Sequence, residues 1–136
     1  MSTKIFVNLP VADLKKSMGF YSAIGFTNNP QFTDATAACM VISEDIFTML
    51  LTHEKFKQFT PKPIADAHKT CEVLVALSRE NRAAVDEIVR KATAAGGKTY
   101  AEPKDYGFMY QHGFQDPDGH IWEVFWMDPA AVNKQQ

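Results

Sequence analysis

The chain has 136 residues, of which 46% are hydrophobic and 22% are charged, and its formal net charge is -2. This composition is typical of one folded domain and excludes a disordered chain, while the scattered basic residues exclude a nucleic-acid-binding face. The N-terminal apolar stretch "IFVNLPV" is too short for a signal peptide or a membrane span. We therefore expect a cytoplasmic protein with reduced cysteines and with no nucleic-acid or membrane partner.

The first half of the chain predicts one strand, one helix and three further strands. "KIFVNLP" (4–10) predicts a strand, and the helical spacing after it predicts a helix from about 13 to 24. Asp13 suits the start of this helix and Gly25 suits its end. The three strands are expected over about 26–33, 35–43 and 47–54.

A connector over residues 55–70, with two prolines and no period, separates this half from a second half with the same order of elements. The pattern there predicts a strand over 71–78, an amphipathic helix over 79–97, and strands over about 98–102, 108–114 and 120–126. The predicted fold class is α+β, with two βαβββ modules (about 4–54 and 71–128) in one domain spanning 1–136. The helices are expected on the outer sheet faces, so that the other faces enclose a cleft.

The hairpin around "DPDG" determines which side chains share that cleft. A four-residue loop over 116–119 would place Gln115 opposite His120, and therefore His112 opposite Glu123. On this register the Glu123 carboxylate faces His112 on the cleft side, where the two could act as acid and base. The same two residues could equally be a satisfied polar pair without a chemical role.

Aromatic side chains are expected to line the cleft. The same register places Tyr110 opposite Phe125, and puts Phe114 on their face. On the first strand, Asn8 shares the inward face with Phe6. Such a set could bind a flat or apolar molecule, and core packing alone would also explain it.

Two motifs, "VADLKKSMGFYSAIGF" near the start and "DPDGHIWEV" near the end, with "KATAAGG" between them, carry a resemblance to a known group of proteins. The chain resembles the vicinal oxygen chelate superfamily, which includes glyoxalase I, extradiol dioxygenases and bleomycin-resistance proteins. With the order of elements, this resemblance covers nearly the whole chain. It implies a glyoxalase-like cleft between the two modules.

The resemblance also implies where a metal would bind, because metal-binding members take one ligand from each of four strands. On this chain those positions are Phe6, a residue near Leu50, a residue near Glu72, and Glu123; Thr52 follows Leu50 on the same face of its strand. Phe6 and Leu50 have no donor atoms, so the usual four-ligand metal site is not expected.

The sequence is compatible with two functions. One is a small-molecule-binding protein with an aromatic-lined cleft and no cofactor, as in bleomycin-resistance members. Its expected ligand contacts are Phe6, Asn8, Leu50, Thr52, Glu72, Tyr110, Phe114 and Phe125. The other is a lactoylglutathione-lyase-like enzyme, or another metal-dependent lyase or dioxygenase, in which Glu123 and His112 are catalytic. A divalent metal would then bind Glu123, Glu72 and His112.

We also expect a homodimer. Trp122, Trp126, Met127 and Met109 are expected on one face, and such a surface suits a subunit contact. A helix of the same chain could cover this face instead. Members of the superfamily commonly complete the walls of the cleft across a subunit interface.

Overall fold

The structure, a computed structural model, describes residues 2–134, with side chains described up to residue 131. The chain divides into two compact units, the first ending at Thr70 and the second starting at Cys71. Each unit holds one four-stranded mixed sheet, and the two sheets have the same strand order. The predicted α+β class and the paired βαβββ order are confirmed. Within the described residues, no helix is long and apolar enough to cross a membrane.

The first unit contains strands β1 to β4 and helices α1 and α2. Asp13 caps α1 as predicted, since its carboxylate accepts a hydrogen bond from the Lys16 amide at 3.1 Å. Gly25 ends the helix with a φ of 110°, a conformation that favours glycine. The bounds are β1 Ile5–Val11, α1 Leu14–Ala23, β2 Thr27–Asn29, β3 Ala37–Ser43, β4 Ile46–Thr52 and α2 His53–Lys57, with a 3₁₀ turn at Pro30–Phe32.

One face of the first sheet is buried against α1. In the strand order β1-β4-β3-β2, Leu50 pairs with Leu9 on one side and with Ala38 on the other. Leu50 and Ala38 are both 0% exposed, as are Thr48 and Met40, which pair with each other. Because side chains alternate along a strand, the opposite face carries the residues between them.

The second unit repeats this construction with strands β5 to β8 and helix α3 in the order β5-β8-β7-β6. The side chain of Asn81 begins α3 by accepting a hydrogen bond from the Ala84 amide at 2.8 Å. The strand predicted over 98–102 is wrong, since only Lys98 bridges to Gln115 there and the strand lies further along. The bounds are β5 Val75–Ser78, α3 Arg82–Ala94, β6 Lys104–Asp105, β7 Met109–Gln115, β8 Ile121–Met127 and α4 Pro129–Lys134.

The core of the second unit lies between its sheet and α3. Phe114, Trp122 and Val124 are all 0% exposed. On α3, the buried side chains recur at helical spacing and form the facing surface. They are Val85, Ile88, Val89 and Ala92.

A tight turn sets the register of the β7–β8 hairpin. The Asp116 amide donates to the His120 carbonyl at 3.0 Å, and the Gly119 amide donates to the Asp116 carbonyl at 3.0 Å. The loop between Asp116 and His120 therefore has three residues, and its last, Gly119, has a φ of 92°. A turn that ends in a left-handed glycine adds a bulge to the hairpin. The predicted four-residue loop is wrong by one residue, and the register shifts by one with it: Gln115 pairs with Ile121.

Candidate functional site

The predicted pairing of Glu123 with His112 is wrong. In the observed register Glu123 pairs with Gly113, and His112 pairs with Val124. Since paired residues share a face and successive residues alternate, Glu123 and His112 lie on opposite faces of the sheet. His112 is on the face that α3 covers, together with Trp122. Glu123 is on the face away from α3, which we call the open face of this sheet.

On the open face, the Glu123 carboxylate is held by an amide. The side-chain nitrogen of Gln111 donates a hydrogen bond to the Oε2 atom of Glu123 at 2.5 Å. The two strand neighbours of Glu123 are Gly113 on β7 and Ala76 on β5, which have little or no side chain. The carboxylate is half-buried, and the space beside it is not filled by its neighbours on the sheet.

A small pocket, with a volume of about 60 Å³, opens on this face. Tyr100, Glu102 and Lys104 form one wall, and Gln111, Gly113 and Glu123 form another, to which His112 also contributes. Pockets that enclose a drug-sized ligand have about 300–1,000 Å³. This one therefore has room for a small polar group rather than for a whole ligand of that size.

The Tyr100 side chain lies directly over Gly113. A Cβ atom built on Gly113 would overlap the Tyr100 hydroxyl and would lie 2.8 Å from its Cζ atom. The Cβ position points to the open face, because Gly113 pairs with Glu123. Burial raises the pKa of the Tyr100 hydroxyl, and the nearby charges of Glu123 and Cys71 raise it further. Tyr100 therefore lies close enough to Glu123 to sense its charge.

Arg82, in the first turn of α3, holds the segment that contains β6 and the turn after it against the helix. Its guanidinium donates to the Asp105 carboxylate at 3.1 Å and to the Gly107 carbonyl at 3.0 Å. It also lies 5.2 Å above the Trp126 ring and 5.9 Å above the Tyr110 ring. These contacts tie β6 and the turn after it to α3, at the end of the wall that carries Lys104.

Tyr110, which the sequence predicts to line the cleft, contacts α3 instead. Its hydroxyl donates to the Asp86 carboxylate on α3 at 2.6 Å. This hydrogen bond is the main reason that the pKa of Tyr110 is raised to about 12. Phe114, also predicted to line the pocket, is fully buried under α3. Both errors follow from the shifted register.

Two other residues of the second unit were predicted to contact a ligand. Phe125 lies on the face of Glu123, as predicted, and pairs with Gln111. Glu72 is exposed and precedes β5, which begins at Val75 rather than at residue 71. The prediction that Glu72 projects from this strand is therefore wrong, and the β5 residue beside Glu123 is Ala76.

In the first unit, Phe6 and Asn8 lie on the open face of the sheet, as predicted. Phe6 pairs with Phe47, and their rings stack with centroids 4.6 Å apart. Leu50 pairs with Leu9 and therefore lies on the opposite face from Phe6, where it is 0% exposed. The prediction that Leu50 faces a ligand is wrong. Thr52 shares the face of Leu50 and accepts a hydrogen bond from the Lys55 amide at 3.2 Å, which begins α2. The predicted strand end at 54 is replaced by this helix.

The donor set does not suit the metal site that the resemblance implies. Among the described residues, no three His, Cys, Asp or Glu side chains are close enough to share an ion. The set proposed from sequence is not assembled, since His112 faces α3 and Glu72 lies before β5. Gly113 and Ala76, the strand neighbours of Glu123, supply no side-chain donor.

Sequence reasoning missed six residues of the pocket, which are Tyr100, Ala101, Glu102, Lys104, Gln111 and Gly113. A glycine inside a strand often marks the close approach of another group, and Gly113 was a signal of this kind. Gln111 could have been found only with the correct register. Tyr100 lies in an irregular segment without a pattern that predicts its position.

Comparisons with known proteins agree with the fold. Residues 3–43 match a family model described as bleomycin resistance protein-like, N-terminal. A hypothetical protein from S. aureus is 28% identical over 93% of this chain and 94% of its own, with a TM-score of 0.78. A glyoxalase/bleomycin resistance protein/dioxygenase family enzyme from Burkholderia phytofirmans is 19% identical over 93% of this chain and 99% of its own, with a TM-score of 0.76. The family match and the shared fold together support the resemblance to the vicinal oxygen chelate superfamily.

More distant structures share the fold as well. A fosfomycin resistance protein from Mesorhizobium loti is 12% identical over 98% of both chains, with a TM-score of 0.69. No curated protein matches the chain. A fold of this kind supports many activities, so the function of this protein has to be argued from its own side chains.

Proposed function

We propose that this protein binds a small molecule at Glu123, on the open face of its second unit, without the usual four-ligand metal site. The observation that carries the proposal is the carboxylate itself. It is half-buried in a pocket, its partner there is the neutral amide of Gln111, and small residues lie beside it. A carboxylate in this setting can accept a hydrogen bond from a ligand or attract a cationic group.

An aromatic side chain supplies the apolar part of the proposed site. Phe125 lies on the same face as Glu123, two residues further along β8. Ligand pockets combine such apolar walls with a few polar groups that fix the orientation of the ligand.

Replacing Glu123 with glutamine should weaken the binding of a cationic ligand and leave the fold intact. The Gln side chain keeps the shape, and its oxygen can still accept the hydrogen bond from Gln111. Metal-free bleomycin, which carries cationic groups, serves as the probe in isothermal titration calorimetry. We expect Kd to rise by about tenfold or more, the loss of a charge-assisted contact worth about 1.4 kcal/mol.

Glu80→Gln is the matched control, because it removes the same charge from an exposed position of the same unit, outside the pocket. Equal binding to Glu123→Gln and to the unchanged protein would contradict the proposal. The competing function is a metal-dependent lyase or dioxygenase that uses Glu123. Turnover of the methylglyoxal–glutathione adduct that requires an added divalent metal, and that is lost in Glu123→Gln, would establish that function instead.

We also propose that the protein is a homodimer, although on a different basis from the predicted one. Trp122 is 0% exposed under α3, so it does not contribute to a subunit contact. Apolar side chains that do reach the surface include Val73 and Leu74, which are 61% and 54% exposed just before β5. Light scattering should give about twice the chain mass of 15.2 kDa. A mass near that of one chain at micromolar concentration would contradict the dimer.

A further inference from the structure

We infer that the Tyr100 hydroxyl and the Glu123 carboxylate form a donor–acceptor pair that selects ligands carrying an acceptor beside a donor, as in a primary carboxamide. This inference rests on the proposed function and names the ligand chemistry of the same site. It adds Tyr100 as a residue that contacts the ligand.

The geometry follows from Gly113, which lies between the two groups. The hydroxyl of Tyr100 occupies the space that a side chain at position 113 would fill. Gly113 and Glu123 are directly opposed on β7 and β8, where Cβ positions are about 4.5–5.5 Å apart. Tyr100 and Glu123 line the same pocket, and no hydrogen bond joins the two among the described residues, so a small planar group can lie between them with hydrogen bonds of roughly 2.7–3.2 Å to each.

The two groups have fixed and opposite hydrogen-bonding roles. Burial and the charge of Glu123 both raise the pKa of Tyr100, so its hydroxyl stays protonated at neutral pH and can donate. Within the described residues, no hydrogen bond engages this hydroxyl. The Glu123 carboxylate is an acceptor; Gln111 occupies its Oε2 atom, which leaves the Oε1 atom for a ligand.

A carboxamide matches these roles better than the simpler alternatives. Its carbonyl can accept from Tyr100 while its N–H donates to Glu123, and it carries no charge that has to be desolvated. An ester has no donor for Glu123, and an ammonium group has no acceptor for Tyr100. A head group of this size also suits a pocket of about 60 Å³.

The experiment follows the backbone amide of Gly113 and the side-chain amide of Gln111 by NMR during titration with four probes. Acetamide has both groups, N,N-dimethylacetamide and methyl acetate have the acceptor only, and methylammonium has a donor only. We expect saturable shifts with acetamide and binding on the order of tenfold weaker for the two acceptor-only probes. Tyr100→Phe should weaken acetamide on the order of tenfold and leave methylammonium unchanged. Tyr106→Phe is the control, since Tyr106 is 50% exposed in the same unit and is not part of the pocket.

Each outcome supports or overturns the inference. Equal acetamide binding by Tyr100→Phe and the unchanged protein overturns it, as does the lack of a saturable acetamide shift. If Glu123→Gln weakens methylammonium while Tyr100→Phe leaves acetamide unchanged, the inference fails and the proposed function stands. If Glu123→Gln affects no probe, both fail.

A second readout tests the geometry without any ligand. The pKa of Tyr100, measured by NMR on ¹³C-labelled tyrosine, should fall in Glu123→Gln, because the negative charge that helps to keep the hydroxyl protonated is removed. Glu80→Gln should leave it unchanged. An identical Tyr100 pKa in both variants places the hydroxyl away from Glu123 and overturns the pair.

Discussion

Replacing Trp122 with alanine should lower the free energy of unfolding by about 3–5 kcal/mol, the usual range for removing a large buried aromatic side chain. Trp122 is 0% exposed, and it pairs with Phe114 on β7 and with Val75 on β5. Its ring fills the layer between the sheet and α3, and the packed strands on both sides limit how far the cavity can collapse. Urea denaturation followed by far-ultraviolet circular dichroism measures the change.

Trp126→Ala is the matched control, since Trp126 lies on the same strand and on the same face four residues later. Its ring is only half-buried and is covered by the Arg82 guanidinium at 5.2 Å rather than by a packed core. We expect its removal to cost about 1–2 kcal/mol, because less apolar surface is lost. Equal losses for the two variants would show that Trp122 does not occupy the centre of this core.

Replacing Asp116 with alanine should lower the free energy of unfolding by about 2–3 kcal/mol. Asp116 is 1% exposed, and its carboxylate accepts hydrogen bonds from the Asp118 amide at 3.0 Å and the His120 amide at 2.8 Å. Alanine removes both charge-assisted bonds and leaves the two amides without these acceptors. Asp116→Asn should recover part of the loss, because the amide oxygen can still accept. Urea denaturation again measures the change.

Asp34 in the first unit is the control for this variant. Its carboxylate makes bonds of the same kind, to the Thr36 amide at 2.7 Å and the Ala37 amide at 3.0 Å. Asp34 is exposed, however, so that water can replace its carboxylate, and we expect Asp34→Ala to lower the free energy of unfolding clearly less than Asp116→Ala does. A loss at Asp34 that matches the loss at Asp116 would mean that burial of the turn contributes little.

The sequence was sufficient for the fold because the long elements carry several agreeing signals. Helix α1 has a capping residue, Asp13, and a terminal glycine, Gly25, around a helical period, and the structure confirms both. The short strands have no comparable redundancy. β6 has two residues and β2 has three, too few for a period to be read, and their positions are fixed by pairing with neighbouring strands instead.

The candidate site was harder to predict, because it depends on which face of the sheet each side chain points to. A loop of three residues in place of the predicted four exchanges the two faces of β7 relative to β8, and the partner of Glu123 changes from His112 to Gly113. A motif such as "DPDG" indicates a turn but does not distinguish a three-residue from a four-residue loop. The same limit applies to Leu50, because its pairing with Leu9 decides which face of the sheet it is on, and the sequence around Leu50 does not.

The contact between Tyr100 and Gly113 also constrains how this protein can diverge. The two positions are 13 residues apart in the chain and share one volume, so a side chain at 113 requires a smaller or displaced residue at 100. Among homologues the two should covary, with glycine at 113 accompanying an aromatic residue at 100. A small residue at position 100 together with a polar side chain at position 113 would place the polar group of the pocket on β7 instead of in the irregular segment. New ligand preferences could then arise by compensated substitution, while Glu123 itself is retained.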